Sequence, residues 1–160
     1  MSKSDLVFLG ICVVLLFAWP LRWEKGPAIS NKSIVTQHLQ DRWTGQYWVE
    51  TYAPHKRVIE PLITEDMVWE QMADDPRYLD AIKKLESVKE FGISEKYARK
   101  RGIQAEMASY AHTELIRRAY LMRDTATFIW LAVFTASLTV LLVRVLRRYL
   151  IGQRNKRESN

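Results

Sequence analysis

Two long apolar runs, one near each end of the chain, limit what this sequence can fold into. From Leu6 to Leu21 it reads LVFLGICVVLLFAWPL, and from Thr125 to Val143 it reads TATFIWLAVFTASLTVLLV; neither run contains an Asp, Glu, Lys, Arg or His. About 20 apolar residues cross a bilayer core as one helix. The second run meets that length. The first is shorter, but Trp19 and Trp23 suit a membrane interface, and its flanking charged side chains can reach the headgroups. Bulk values conceal this arrangement: the net charge of +6, the pI of 9.5 and the mean hydropathy of -0.19 describe no actual part of the molecule. Most of the charge lies between the runs and after the second one.

The second run is closed by Arg144, Arg147 and Arg148, followed by Arg154, Lys156 and Arg157. Short basic flanks of this kind stay on the cytoplasmic side and contact anionic lipid headgroups, which makes these six residues the expected lipid-headgroup contacts. With two spans, both termini are then cytoplasmic. The expected organisation is a cytoplasmic N-terminus at 1–5, a first transmembrane segment at 6–22, an extracytoplasmic segment at 23–124, a second transmembrane segment at 125–143 and a basic cytoplasmic tail at 144–160. The corresponding location is the bacterial inner (plasma) membrane. A cleavable signal peptide is the rival reading of the first run. Its best cleavage site, Gly26-Pro27-Ala28, lies beyond Arg22, Glu24 and Lys25, so a retained anchor is expected.

The fold class expected is mainly α, a two-span membrane protein with a largely helical extracytoplasmic segment and a long helix continuing into the second span. Thr64 reads as the cap of a helix over Glu65 to Met72 that buries Val68, Trp69 and Met72. Asp75-Pro76 reads as cap and first residue of another, with Leu79, Ile82, Leu85 and Val88 as its apolar stripe and Gly92 as its end. Ser94 reads as the cap of a third, in which Tyr97, Ala108, Ala111, Leu115, Ala119 and Met122 recur at steps of three and four. Gly102 weakens this helix, but no proline follows Pro76, so it is expected to run on to about Tyr149. The alanine stripe suits close helix packing. In the first half, Ile34 to Arg42 reads as a short helix. Gln46 to Tyr52 alternates as a strand does, inside the aromatic stretch RWTGQYWVETYAP, but its only apparent partner is the weak Lys56 to Ile59. Pairing with another subunit's strand is one reading, and an irregular segment the other.

Catalytic signals are thin. His38, His55 and His112 are scattered, with no HExxH, and the lone Cys12 offers no disulfide or cysteine metal site. There is no GxxxxGK[ST], GxGxxG or GxSxG motif. The acidic residues Glu65, Asp66, Asp74 and Asp75 sit near helix starts, where carboxylates cap and complement the dipole. No enzyme activity, cofactor or metal is therefore expected, nor any nucleic acid or small-molecule substrate. The partners expected are other membrane protein subunits and membrane lipid, with Trp43, Tyr47, Trp48, Tyr52, Ala108, Ala111, Leu115 and Ala119 as the contact residues.

Trp19-Pro20 closing the first run, Arg147-Arg148 closing the second and the terminal Arg157-Glu158-Ser159 form a plan that resembles small membrane proteins of integrative conjugative elements, encoded among type IV secretion genes. Those proteins tend to carry further spans, which this chain does not show. The resemblance implies a conjugative transfer apparatus as the setting. The leading functional expectation is a non-enzymatic two-span structural subunit or assembly factor of a multiprotein membrane complex. The alternatives are a self-associating regulator or exclusion factor, dimerising through the Ala108, Ala111, Leu115 and Ala119 stripe, and an envelope glycan binder stacking sugar on Trp43, Tyr47, Trp48 and Tyr52.

Overall fold

A computed structural model describes residues 3–31 and 33–158, with side chains as far as Ile151. Helix α1 (Lys3–Leu21) is followed by four strands, β1 (Trp23–Asn31), β2 (Ile34–Asp41), β3 (Tyr47–Ala53) and β4 (Lys56–Pro61). Two short helices, α2 (Glu65–Ala73) and α3 (Pro76–Ser87), lead into α4 (Ile93–Glu158). The chain is mainly helical, with two long apolar helices and one antiparallel sheet in the order β1-β2-β3-β4.

Helix α1 stops where its sequence stops favouring it. Pro20 lacks an N–H for the last turn, and the turn closes with Arg22 N–H donating to the Trp19 carbonyl at 3.2 Å. The chain then reverses into a meander. Strand β1 carries a bulge between Lys25 and Ala28, where Gly26 lies so close to β2 that an added Cβ would meet the His38 carbonyl oxygen at 3.3 Å. The bulge and Pro27 blunt this outer edge against further pairing. Between β2 and β3 the turn needs a left-handed residue, and Gly45 supplies it at φ 72° while its N–H donates to the Asp41 carbonyl at 2.7 Å.

The sheet corrects the reading of the first half. Ile34 to Asp41 is a strand, not a helix: Ile34, Val35 and Thr36 are β-branched, and strands on both sides supply a ladder that a lone helix would forgo. Strand β3 therefore pairs within the chain, with β2 on one side and β4 on the other. Lys56 to Ile59 does form a strand, reaching Pro61.

Two of the three predicted caps hold, at Thr64 and Asp75, while Ser94 lies inside the helix it was expected to cap. Thr64 Oγ1 accepts from Met67 N–H at 3.4 Å, and Asp75 Oδ1 accepts from Arg77 N–H at 2.8 Å with Pro76 at the first helical position. Gly92 does not end α3, which stops at Ser87 with Val88 extended. Ser87 Oγ instead donates to the Lys84 carbonyl at 2.7 Å, competing with the helical ladder. Gly92 serves the next helix: its carbonyl accepts the Lys96 N–H at 3.0 Å, and α4 begins at Ile93, before Ser94.

Helix α4 runs unbroken through Gly102 for 66 residues. At 1.5 Å per residue that is about 100 Å. Everything else is built on one of its sides. The short helices pack along its outer third, where Gln104 donates to Tyr78 Oη at 3.4 Å and Arg118 to Gln71 at 3.2 Å. The sheet follows, with a core of Leu39, Trp48 and Ala119 flanked by Trp23, Ile59 and Tyr120. Helix α1 lies antiparallel along the remainder: Trp130 Nε1 donates to the Leu15 carbonyl at 3.1 Å, the Arg144 guanidinium lies 4.9 Å from the Phe8 ring, and Arg148 pairs with Asp5.

Candidate functional site

The most elaborate polar site sits where α1, the sheet and α4 meet, and it is organised by Arg22. This residue follows the last turn of α1 and is only 1 % exposed. Its guanidinium is a planar fork of five N–H donors that must find acceptors when removed from water. Nε and Nη2 donate to the two carboxylate oxygens of Asp41 at 3.0 and 2.6 Å. Nη1 donates to Thr127 Oγ1 at 2.7 Å and Nη2 also to the Arg123 carbonyl at 3.2 Å. One side chain thus ties the end of α1, the end of β2 and the middle of α4 together.

Asp41 is fully buried opposite it, in register with Trp23 across the β1–β2 ladder. Burial pushes its carboxyl up, but the Arg22 hydrogen bonds, the Trp43 backbone N–H at 3.0 Å and the Arg22 charge outweigh that, and the carboxyl is held below its ordinary range. Tryptophans wall the pair. The guanidinium carbon lies 4.7 Å from the Trp43 ring and 5.2 Å from Trp23. Trp43 also meets Trp19 edge-on at 6.1 Å, Trp19 lies 4.8 Å from Trp130, and Trp130 stacks on Phe134 at 5.4 Å. A carboxylate held ionised by a bidentate arginine is a weak base, and a guanidinium does not give up its proton. Their chemistry is that of a clamp.

A second buried carboxylate, Glu50, shares the sheet face with Trp48 and Tyr52 and pairs with Arg57. Its hydrogen bond holds the Tyr52 phenol above its ordinary range. Among the described residues, no group of three or more His, Cys, Asp or Glu is placed to hold a metal ion.

The expected contact residues are dispersed. Trp48 is 0 % exposed inside its own chain, so this residue is core and not a partner contact; the sheet that hides it was the missing piece. Tyr52 follows on the same face, and Tyr47 points to the other face by the two-residue period of the strand. Trp43 lies beyond the strand, among Trp19 and Trp130. The four rings share no common face, so no stacking platform is assembled. Ala111 and Ala119 are likewise buried against α2 and the sheet, which corrects their expected role toward a second chain; Ala108 and Leu115 are half-buried on the same flank. Arg144, Arg147 and Arg148 converge with Ser4 and Ile151, where the N-terminal end of α1 meets the C-terminal part of α4. The side chains of Arg154, Lys156 and Arg157 lie outside the described residues. Sequence reasoning overlooked Arg22, Asp41, Thr127 and Asp5. The legible signal was the placement of two of them, an acid and an arginine abutting the ends of the first apolar run.

Compared with family models, curated proteins and solved structures, the chain matches none.

Proposed function

We propose that the chain is a two-span membrane protein that serves, without enzymatic activity, as a structural subunit or assembly factor of a multiprotein membrane complex. One observation carries this reading: the packed apolar stretches of α1 and α4 leave their outer sides bare. Phe17 is 68 % exposed and Phe128 71 %, with Val14, Leu16, Ile129, Leu142 and Val143 exposed around them. So wide an apolar belt is unfavourable in water and natural in lipid, where both helices satisfy their own backbone groups. Its ends match a bilayer. From Thr127, at the tryptophan-walled clamp, to Arg144 is about 26 Å along the helix at 1.5 Å per residue, close to a hydrocarbon core of about 30 Å. Tryptophans bound one end and arginines the other.

By the charge rule the arginine end faces the cytoplasm and residues 23–124 are exported. An alkaline phosphatase inserted near Gly92 should be active and one fused after Asn160 inactive; the reverse pattern would sink this topology.

The role as a subunit is supported by the far tip of α4. Ile93 is 79 % exposed beside Tyr97, and with Ile82, Leu85, Glu86, Lys96 and Lys100 they line a groove of about 240 Å³ between α3 and α4. An apolar groove with a charged rim of Glu86, Lys96 and Lys100, held far from the bilayer by a rigid helix, suits a protein partner. The resemblance at Trp19-Pro20 and Arg147-Arg148 points to conjugative transfer or secretion as the setting. Purification in mild detergent should bring down stoichiometric partners, and Ile93→Asp with Tyr97→Asp should release them without changing membrane insertion. A lone monomer in several detergents would overturn the reading. Self-association through the alanine stripe has less support, because the chain's own α2 and sheet occupy that stripe.

A further inference from the structure

We infer that the inner ends of α1 and α4 form a binding site for the phosphate of an anionic phospholipid headgroup, a site that rests on the two-span reading. The pocket has a volume of about 350 Å³ and is lined by Ser4, Arg144, Arg147, Arg148 and Ile151. Its lining holds three arginines and no carboxylate. These charges fall within little more than one turn of α4, where like charges repel one another unless an anion joins them.

Two of the arginines are held in place from below. Arg148 is paired with the buried carboxylate of Asp5, and Arg144 rests against the Phe8 ring at 4.9 Å. Their guanidinium groups are thereby oriented before any ligand arrives, which lowers the entropic cost of binding. Asp5 offsets one of the three charges and leaves the pocket cationic. Ser4, in the first described turn of α1, brings a hydroxyl to the same pocket. Planar guanidinium forks match phosphate oxygens in pairs, and they do so better than a point charge does.

Depth selects the source of that phosphate. The pocket lies at the end of the apolar span, at the level where headgroups sit, and Ile151 with the exposed Leu150 gives an apolar flank for the glycerol and upper acyl chain. A phosphate from a zwitterionic lipid brings its own cation into a site already crowded with cations. A phosphatidylglycerol-like headgroup brings none.

The test is native mass spectrometry of the full chain in detergent with dioleoylphosphatidylglycerol or dioleoylphosphatidylcholine added. Retention of the phosphatidylglycerol should fall about tenfold or more in Arg144→Gln/Arg147→Gln, which spares the Asp5–Arg148 pair. Arg154→Gln/Lys156→Gln removes the same charge and should change retention by less than about threefold. Arg144→Lys/Arg147→Lys should bind nearly as poorly as the glutamine pair, since charge alone does not restore the fork. Equal loss in the first two variants, or full binding by the lysine pair, would reduce the effect to surface attraction and overturn the site. Displacement of the lipid by millimolar inorganic phosphate would assign the pocket to a soluble ligand and overturn it too. Alkaline carbonate extraction separates the two levels. A protein that leaves the membrane loses both the two-span reading and the site, whereas one that stays but binds both lipids equally loses only the site.

Discussion

Replacing Arg22 by methionine should destabilise the folded chain by about 3–5 kcal/mol, the typical cost of stripping one partner from a buried ion pair. The change leaves the Asp41 carboxylate buried without its bidentate donor, and leaves Thr127 Oγ1 and the Arg123 carbonyl without theirs. Because those acceptors lie on different elements, the damage is structural as well as local: among the described residues Arg22 is the polar link between the end of β2 and α4 at this level. Tryptophan fluorescence during denaturant unfolding in detergent would measure the loss, with Trp19, Trp23 and Trp43 all against the guanidinium as reporters. The double variant Arg22→Met/Asp41→Leu should be markedly more stable than Arg22→Met alone, since no charge is then left buried. Additive losses would show that the pair contributes through packing and not through its charges.

The same pair sets a pH dependence. Asp41 is held below its ordinary value of 3.8, so the folded state binds its proton less readily than the unfolded chain does. The stability this supplies is fully present above the unfolded value and is lost as pH falls through the lowered folded value. Acid below about pH 4 should therefore erode the clamp. Asp41→Asn should remove that acid component and start from a lower stability at neutral pH.

Trp48→Ala should have an effect of similar size, about 3–5 kcal/mol, because it empties the largest fully buried side-chain volume among the described residues. Trp48 touches Trp23 and Tyr120 edge-on at 6.2 and 5.3 Å, and Arg123 lies 5.0 Å over its ring, so its removal unseats the sheet from α4. Trp48→Phe should cost far less than the alanine change. The indole Nε1 is buried and without a hydrogen-bond partner among the described residues, so phenylalanine keeps the ring contacts and removes an unpaired donor. Thermal unfolding of both variants distinguishes this from a role at a partner surface, where alanine would leave the isolated chain's stability unchanged.

Much of the helical scaffold was legible because its signals are local. Thr64, Asp75 with Pro76, and the absence of proline after residue 76 each act within a turn of their own position, and the structure follows them. The sheet was not legible, because strand pairing is a bargain between distant segments. β1 reads WEKGPAISN, polar and broken by Gly26-Pro27, and becomes a strand only because β2 offers it a ladder. Without that sheet in view, Trp48 looked like a ring in need of a partner, and Arg22 looked like an ordinary flanking charge. Its acceptors stand 19 and 105 residues away, at separations no periodicity reveals.

The unbroken course of α4 has a mechanical consequence. Ala119, Arg123, Thr127, Trp130, Phe134, Ser137, Arg144 and Arg148 follow at steps that keep to one slowly drifting side of the helix, the side that meets the sheet and then α1. Each residue of a helix fixes an azimuth about 100° from the last. The outer and inner halves are therefore cut on a single key: a residue added between Arg123 and Trp130 would turn all the inner teeth away from α1, while seven added residues would return them to within about 20°. A torque applied at the far tip meets no loop that could absorb it before it reaches the arginines.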